Sequence, residues 1–478
     1  MKKLIAGFII FLMSTSAYAA QRATLQNGSG VELGTTSNPI KAALAGGAVV
    51  DASAYGLSTS ASGATNTSAI QSAVDAVCAA SGGTVRILTP GTYNLNTQGS
   101  HPYVGGRRYI IDLDCDNLAL QIGPGVVLQM ANNQQTNAGG AVDMIVFRNR
   151  TNLRIYGGGK IVGNTAGQTG WTGGYAQVTN GIIIAGFATG SGSDGIYIED
   201  LFLEDHFSNP INIGSDNVFS KNVYIKNIRV KNVGEGIQLI AINRGWIKDS
   251  IVEDTTDVSA GDGFETSDCI NIEISNVIAK GTIAGSGIDI FKSEEVVVNG
   301  FLVDGTAGGI DYGSNDANNV TDNVVFSNGV IRATTDTNVI GSNNNVTGRI
   351  TFNNVMVVDC AGTPFQIYGD ASADEIVFNG FISKNNALSP LIRGSRRVTI
   401  IGSQFLEASA NSIHGLTIQR ANAGERPTVH LIGNKFRSSS SGASYGLAID
   451  GQGDAAYCPL IRAFGNDWSG VTNGIGWV

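Results

Sequence analysis

Cysteine is scarce in this chain: five residues, at Cys78, Cys115, Cys269, Cys360 and Cys458. An odd, widely scattered set excludes a disulfide framework. These cysteines read as buried small hydrophobes, with one bridge open to them in an oxidising compartment. Histidine is scarcer still. His101, His414 and His430 stand alone and read as structural, no metal-ligand spacing joins them, and no metal or cofactor is expected. After residue 20 no stretch is apolar enough to span a bilayer. Charged residues make up 14%, with acids ahead of bases and a net charge of −9, which argues against nucleic acid and anionic membrane as partners. A strongly polyanionic substrate would need a local basic groove.

The apolar run at the start has a processing pattern. Lys2 and Lys3 form a positive end, Leu4–Met13 an apolar segment, and Ala17-Tyr18-Ala19 a small-x-small cleavage site. Residues 1–19 are therefore expected to be a bacterial-type signal peptide, giving a periplasmic or secreted protein. Its removal would bring the charge to about −11. Residues 20–47 form an N-terminal extension without clear periodicity.

What the chain does have is glycine, 64 residues, and abundant asparagine alternating with valine and isoleucine. That composition points to many short strands joined by tight turns. In Val49–Leu95, Ser68 is a candidate N-cap, Ile70, Val74 and Val77 sit at helical spacing, and Gly82-Gly83 stops the helix. A strand, TVRIL, and a turn, PGTY, follow. This unit resembles the opening of the right-handed β-helices of the pectate-lyase superfamily, in which such a helix caps the solenoid. Strand starts then recur near Gly181, Ile211, Ile237, Phe264, Ile288, Ile310, Val339, Phe365, Leu391, Leu416 and Leu447. Intervals of one coil read as a solenoid, and the Asn, Gly and Ser corners between paired strands can stack into ladders. The expected fold class is all-β, a right-handed parallel β-helix with an N-terminal capping α-helix. It would form a single domain over residues 48–478, with irregular coils from about residue 389. Trp246, aligned with Ile272, is expected in the core.

Four strands share one pattern: GIQL at Gly236–Leu239, GFET at Gly263–Thr266, GIDI at Gly287–Ile290 and GIDY at Gly309–Tyr312. Stacked, they align Gln238, Glu265, Asp289 and Asp311. Like charges at strand spacing repel, so three carboxylates in a row are costly and not needed for folding. Coils about 4.8 Å apart place adjacent carboxylates near the separation used by retaining glycosidases, and alternate ones near that of inverting enzymes. Glu265, Asp289 and Asp311 are the catalytic candidates, the widest pair leaving room for an activated water. Asn212, Gln238, Asp262, Lys292, Tyr312, His206, and Trp171 and Tyr175 of the loop Gly163–Gln177 are the substrate-binding candidates. Asn315 also flanks the column, and Glu235 and Asp268 border it. The alternative is a solvated set of surface carboxylates.

Capping helix, coil pattern and acidic column together resemble the tailspike-like β-helix glycosidases, phage enzymes that cut bacterial surface polysaccharides. With a signal peptide, the chain is similar to secreted relatives that process exopolysaccharides of the stewartan and amylovoran type. The resemblance implies endo-hydrolysis of a polysaccharide partner by two carboxylates. No trimerisation segment is recognisable after Ser389, so a monomer is expected. Two other readings stand beside it: a Ca²⁺-dependent lyase or epimerase, with Lys292 as the basic residue at the column, and a non-catalytic glycan-binding solenoid. The Asn-x-Asp, Asp-Asp and Gly-His-Gly elements of polygalacturonases are missing, which disfavours pectin hydrolysis.

Overall fold

The computed structural model describes residues 47–478 apart from 101, 104–106, 137–139, 171–180, 187–191, 215–217, 256–260, 282, 314–320, 337, 343–345, 368–374, 394–396, 408–413, 420–427, 439–444, 451–458, 472 and 478. The signal peptide, Trp171, Tyr175, Asn315 and Cys458 therefore lie outside the described residues. The chain winds as a right-handed parallel β-helix. A 15-stranded sheet forms one wall, called here the site sheet, and a 24-stranded sheet bends to form the others. Among the described residues no helix is long and apolar enough to cross a membrane.

Each coil follows from alternation along its strands. Ile211, Ile237, Phe264, Ile288, Ile310 and Ile340 pair in register, and all are buried inside the solenoid. Successive residues point to opposite faces, so the residue after each of these faces out. Four of these inner residues follow a glycine, Gly236, Gly263, Gly287 and Gly309, whose missing side chain leaves room for the next coil. A Cβ on Gly236 would come within 1.8 Å of the Gly263 carbonyl oxygen, and one on Gly263 within 2.5 Å of that of Gly287.

Corners carry the expected polar ladder. Asp200, Asn227, Asp249 and Asn276 are left-handed, a conformation Asn and Asp tolerate, and bend the long strands between two walls. Asn227 Nδ2 donates to Asp200 Oδ1 at 2.8 Å, and Asn276 Nδ2 to Asp249 Oδ1 at 3.2 Å. Further along the axis the interior becomes aromatic. Phe326, Phe352 and Phe378 stack with centroids 5.0 Å apart, as do Phe405 and Phe436, and Phe436 lies 4.4 Å from Trp468. Paired strands continue to Asn473–Trp477.

The capping helix is Gly63–Ala79, longer at its start than the sequence pattern suggests. Ser62, not Ser68, is the N-cap, its side chain accepting from the Thr65 N–H at 3.2 Å. The early turn is retained because the first coil binds it: Asn66 Nδ2 donates to the Asn94 carbonyl and Thr67 Oγ1 to that of Asn96. Ile70, Val74 and Val77 are buried against the open end, as expected. A disulfide, Cys78–Cys115, fastens the helix to the solenoid, while Cys269 and Cys360 are buried free thiols.

Candidate active site

Strand pairing brings the polar column together. Asn212, Gln238, Glu265, Asp289 and Asp311 are consecutive register partners across five strands of the site sheet. Their neighbours in sequence are buried inner residues, so all five side chains face outward. Asn212 is buried and the other four are half-buried. Asp262 joins them from the turn before its strand, with Oδ1 accepting from the Ser286 N–H at 2.6 Å.

The column is partly desolvated and like-charged, and its acidity reflects both. Burial is the main cause that raises the Glu265 carboxyl, with the hydrogen bond from Gln238 pulling back. Burial also leads for Asp289, which is raised well above its ordinary value with Asp262, Glu265 and Asp311 adding to the push. Asp262 is likewise raised by burial and then by Glu265, Glu235 and Asp311, against the lowering effect of the Ser286 N–H. Such a set favours keeping a proton on one carboxyl beside an ionised neighbour, an arrangement that acid–base chemistry uses.

Other candidates fare differently. Lys292 follows the column strand in a left-handed turn, half-buried, with Nζ 5.0 Å from the centre of the Phe291 ring. Tyr312 is not a substrate-facing residue. As the residue after Asp311 it points inward, fully buried, with its ring 6.3 Å from Phe326 and 5.9 Å from Phe352. His206 does not reach the groove either. It is buried in the corner before the site sheet, burial lowers its pKa to about 4, and Nδ1 accepts from the Ser208 N–H at 3.2 Å. Trp246 is not in the core: it pairs with Tyr224 and Glu273 on the outer face, half-buried.

Sequence reasoning missed Asn209 and Phe291. Asn209 is buried and its amide reaches Gln238, while Phe291 stands half-buried beside Asp289 on the same outer face. For Phe291 the signal was there, since alternation through Ile288, Asp289, Ile290 and Phe291 sends it outward. Among the described residues no set of three or more His, Cys, Asp or Glu is arranged to hold a metal ion.

No protein-family model matches the sequence, and no curated protein does. Solved structures match by shape. The N-terminal fragment of bacteriophage phi29 gene product 12 aligns with a TM-score of 0.59 at 13% identity, over 89% of this chain and 71% of that one. A double mutant of the tailspike protein of E. coli bacteriophage HK620 aligns with a TM-score of 0.54 at 11% identity, over 86% and 78%. The chain has the tailspike fold. A further mutant of the HK620 tailspike, in complex with a hexasaccharide, aligns with a TM-score of 0.50 at 13% identity, over 83% and 74%. The tailspike-like resemblance read from the sequence is borne out in the backbone, and identities this low speak for the fold alone.

Proposed function

We propose that this protein is a polysaccharide-acting enzyme, an endo-glycosidase that hydrolyses a bacterial exopolysaccharide or surface polysaccharide outside the cytoplasm. One observation carries the reading: outward-facing Glu265, Asp289 and Asp311 in register on one wall, half-buried and joined by Asp262. A purely structural wall has no use for that arrangement. Supporting it, a tailspike of the same fold has been seen with a bound hexasaccharide. The Cys78–Cys115 bond suits an oxidising compartment.

In this mechanism a sugar chain lies along the site sheet across successive coils. One protonated carboxyl of the column gives its proton to the glycosidic oxygen as the C–O bond to the anomeric carbon breaks. An ionised carboxylate takes a proton from the attacking water, or attacks first and is released by water in a second step. Phe291 beside Asp289 offers an apolar ring edge to the sugar, and Asn212 and Gln238 continue the polar track toward the N-terminal coils.

The test is incubation of the purified protein with a panel of bacterial exopolysaccharides, following chain length and new reducing ends. The expected result is chain shortening with one reducing end per cut and no ultraviolet-absorbing unsaturated product, lost in the triple variant Glu265→Gln/Asp289→Asn/Asp311→Asn. An unsaturated product would replace hydrolysis by elimination. A triple variant that still cuts would remove the column from the chemistry.

A further inference from the structure

Carboxyls one coil apart do not all ionise together, so something must decide which of them keeps a proton. Hydrogen-bond donors do this. Gln238 Nε2 donates to Glu265 Oε2 at 2.7 Å. The Gln238 amide is held from behind, because its Oε1 accepts from Asn212 Nδ2 at 2.5 Å and from Asn209 Nδ2 at 3.4 Å. Asn209 is anchored in turn: its Oδ1 accepts from Ser208 Oγ at 3.0 Å, and the Ser208 N–H donates to the buried His206. The orientation is consistent from both ends, since an ionised Glu265 accepts only and must face an N–H.

Asp289 is served differently. It sits between Glu265 and Asp311 in the register, and its Oδ1 is buried with no hydrogen-bond partner among the described residues. An oxygen in that position stabilises a proton better than a negative charge. Asp262 has the Ser286 N–H as its donor. Glu235 and Lys292 also border the cluster, and Asp268 directly follows the Glu265 strand.

We propose that Gln238 is a positioning residue that divides the roles within the column: its amide, locked by Asn209 and Asn212, makes Glu265 the standing anion and leaves Asp289 as the proton carrier. The proposal rests on the glycosidase reading for its consequence, with Asp289 the general acid and Glu265 the base or nucleophile. Its physical content concerns only where the charge resides. The perturbations run the same way, Gln238 drawing Glu265 back down while burial and the carboxylates of Asp262, Glu265 and Asp311 push Asp289 further up.

Carboxyl ¹³C NMR titration of the full chain tests it without any substrate, with Glu265→Gln and Asp289→Asn identifying the two signals. In the unsubstituted protein Asp289 is expected to titrate at higher pH than Glu265. In Gln238→Met the Glu265 midpoint moves up by about one pH unit, a tenfold gain in proton affinity. Asn212→Ala, which frees the amide to turn, gives a smaller shift of the same sign and covers a Gln238→Met chain that does not fold. The proposal is overturned if Asp289 titrates below Glu265, or if the Glu265 midpoint stays put in the folded variants. A chain that titrates as expected yet cuts no polysaccharide would sink the glycosidase reading and leave this charge assignment in place.

Discussion

On one wall of the bent sheet Glu204, Lys231, Glu253, Lys280, Asp304 and Arg332 follow one another in register, acid alternating with base along six coils. On the site sheet the same spacing carries Glu265, Asp289 and Asp311, three acids without an intervening base. The alternating column neutralises itself: Glu253 lies 3.4 Å from Lys280 and from Arg229, and Asp304 lies 2.7 Å from Arg332. Burial alone would raise the Glu253 carboxyl, but Lys280, Arg229 and Lys231 outweigh it and hold it below its ordinary value. In the site column burial raises both Glu265 and Asp289, and charged neighbours add to the push on Asp289. One backbone thus accommodates both solutions, so geometry does not force like charges into line. The acidic column is a choice of sequence that opposes stability, and such choices mark functional sites.

The largest effect that would break this contrast is catalytic. Glu265→Gln or Asp289→Asn should lower turnover by about 10²–10⁴-fold, the usual worth of a positioned acid or base. Glu253→Gln or Lys280→Gln, equally charged and equally repetitive, should leave it unchanged. Reducing-end assays on all four variants decide the point. Equal losses on both walls would mean that the column contributes only to folding.

The next effect is on stability, and the two columns should respond with opposite sign. Carboxyls raised by folding keep protons in the folded state that the unfolded chain has already released, so stability falls as pH climbs from the ordinary carboxylate range through the raised values. Glu253 is depressed, so its contribution is complete above the ordinary value and is lost as pH falls through the lowered one. Asp289→Asn should therefore stabilise the fold at neutral pH by about 1 kcal/mol and flatten the decline toward higher pH. Glu253→Gln should destabilise it by about 0.2–1 kcal/mol, the range for a partly solvated ion pair. Urea midpoints across pH for the two variants measure both. An Asp289→Asn chain that is less stable at neutral pH would mean that the carboxylate is structurally required.

Much of this was legible in sequence because period two is a strict rule. Once Ile237, Phe264, Ile288 and Ile310 are assigned inward, Gln238, Glu265, Asp289 and Asp311 must face out and stack. The same rule explains the errors. Tyr312, expected at the site because it flanks the column, lies one step beyond Asp311 and is inward by parity. An alignment of Trp246 with Ile272 is one residue out, since the register partner is Glu273, and one step separates the core from the surface. His206 ends one strand, Asn209 opens the next and Asp262 precedes a third, and at such ends alternation is a poor guide to direction. The donor pattern that separates Glu265 from Asp289 was illegible for the same reason, since Asn209 reaches Gln238 across 29 residues of sequence.

The smallest effect sharpens the comparison most. Lys280→Glu would set three acids in a row on the alternating wall, an imitation of the site column built from surface residues. Removing the Lys280–Glu253 pair and adding repulsion should cost about 0.5–1 kcal/mol, read from the urea midpoint, and the loss should shrink in high salt. Water reaches this wall at Asp304 and Lys280, whose side chains are 30% and 39% exposed, and less at Glu253, which is 17% exposed. The imitation column should therefore titrate close to ordinary carboxylates, because repulsion is screened wherever solvent enters. If Lys280→Glu instead produced carboxyls raised as far as Asp289, register alone would suffice to make such a site. The expected outcome separates the two ingredients: register supplies proximity, and the half-buried setting beside Phe291 lets proximity shift a proton.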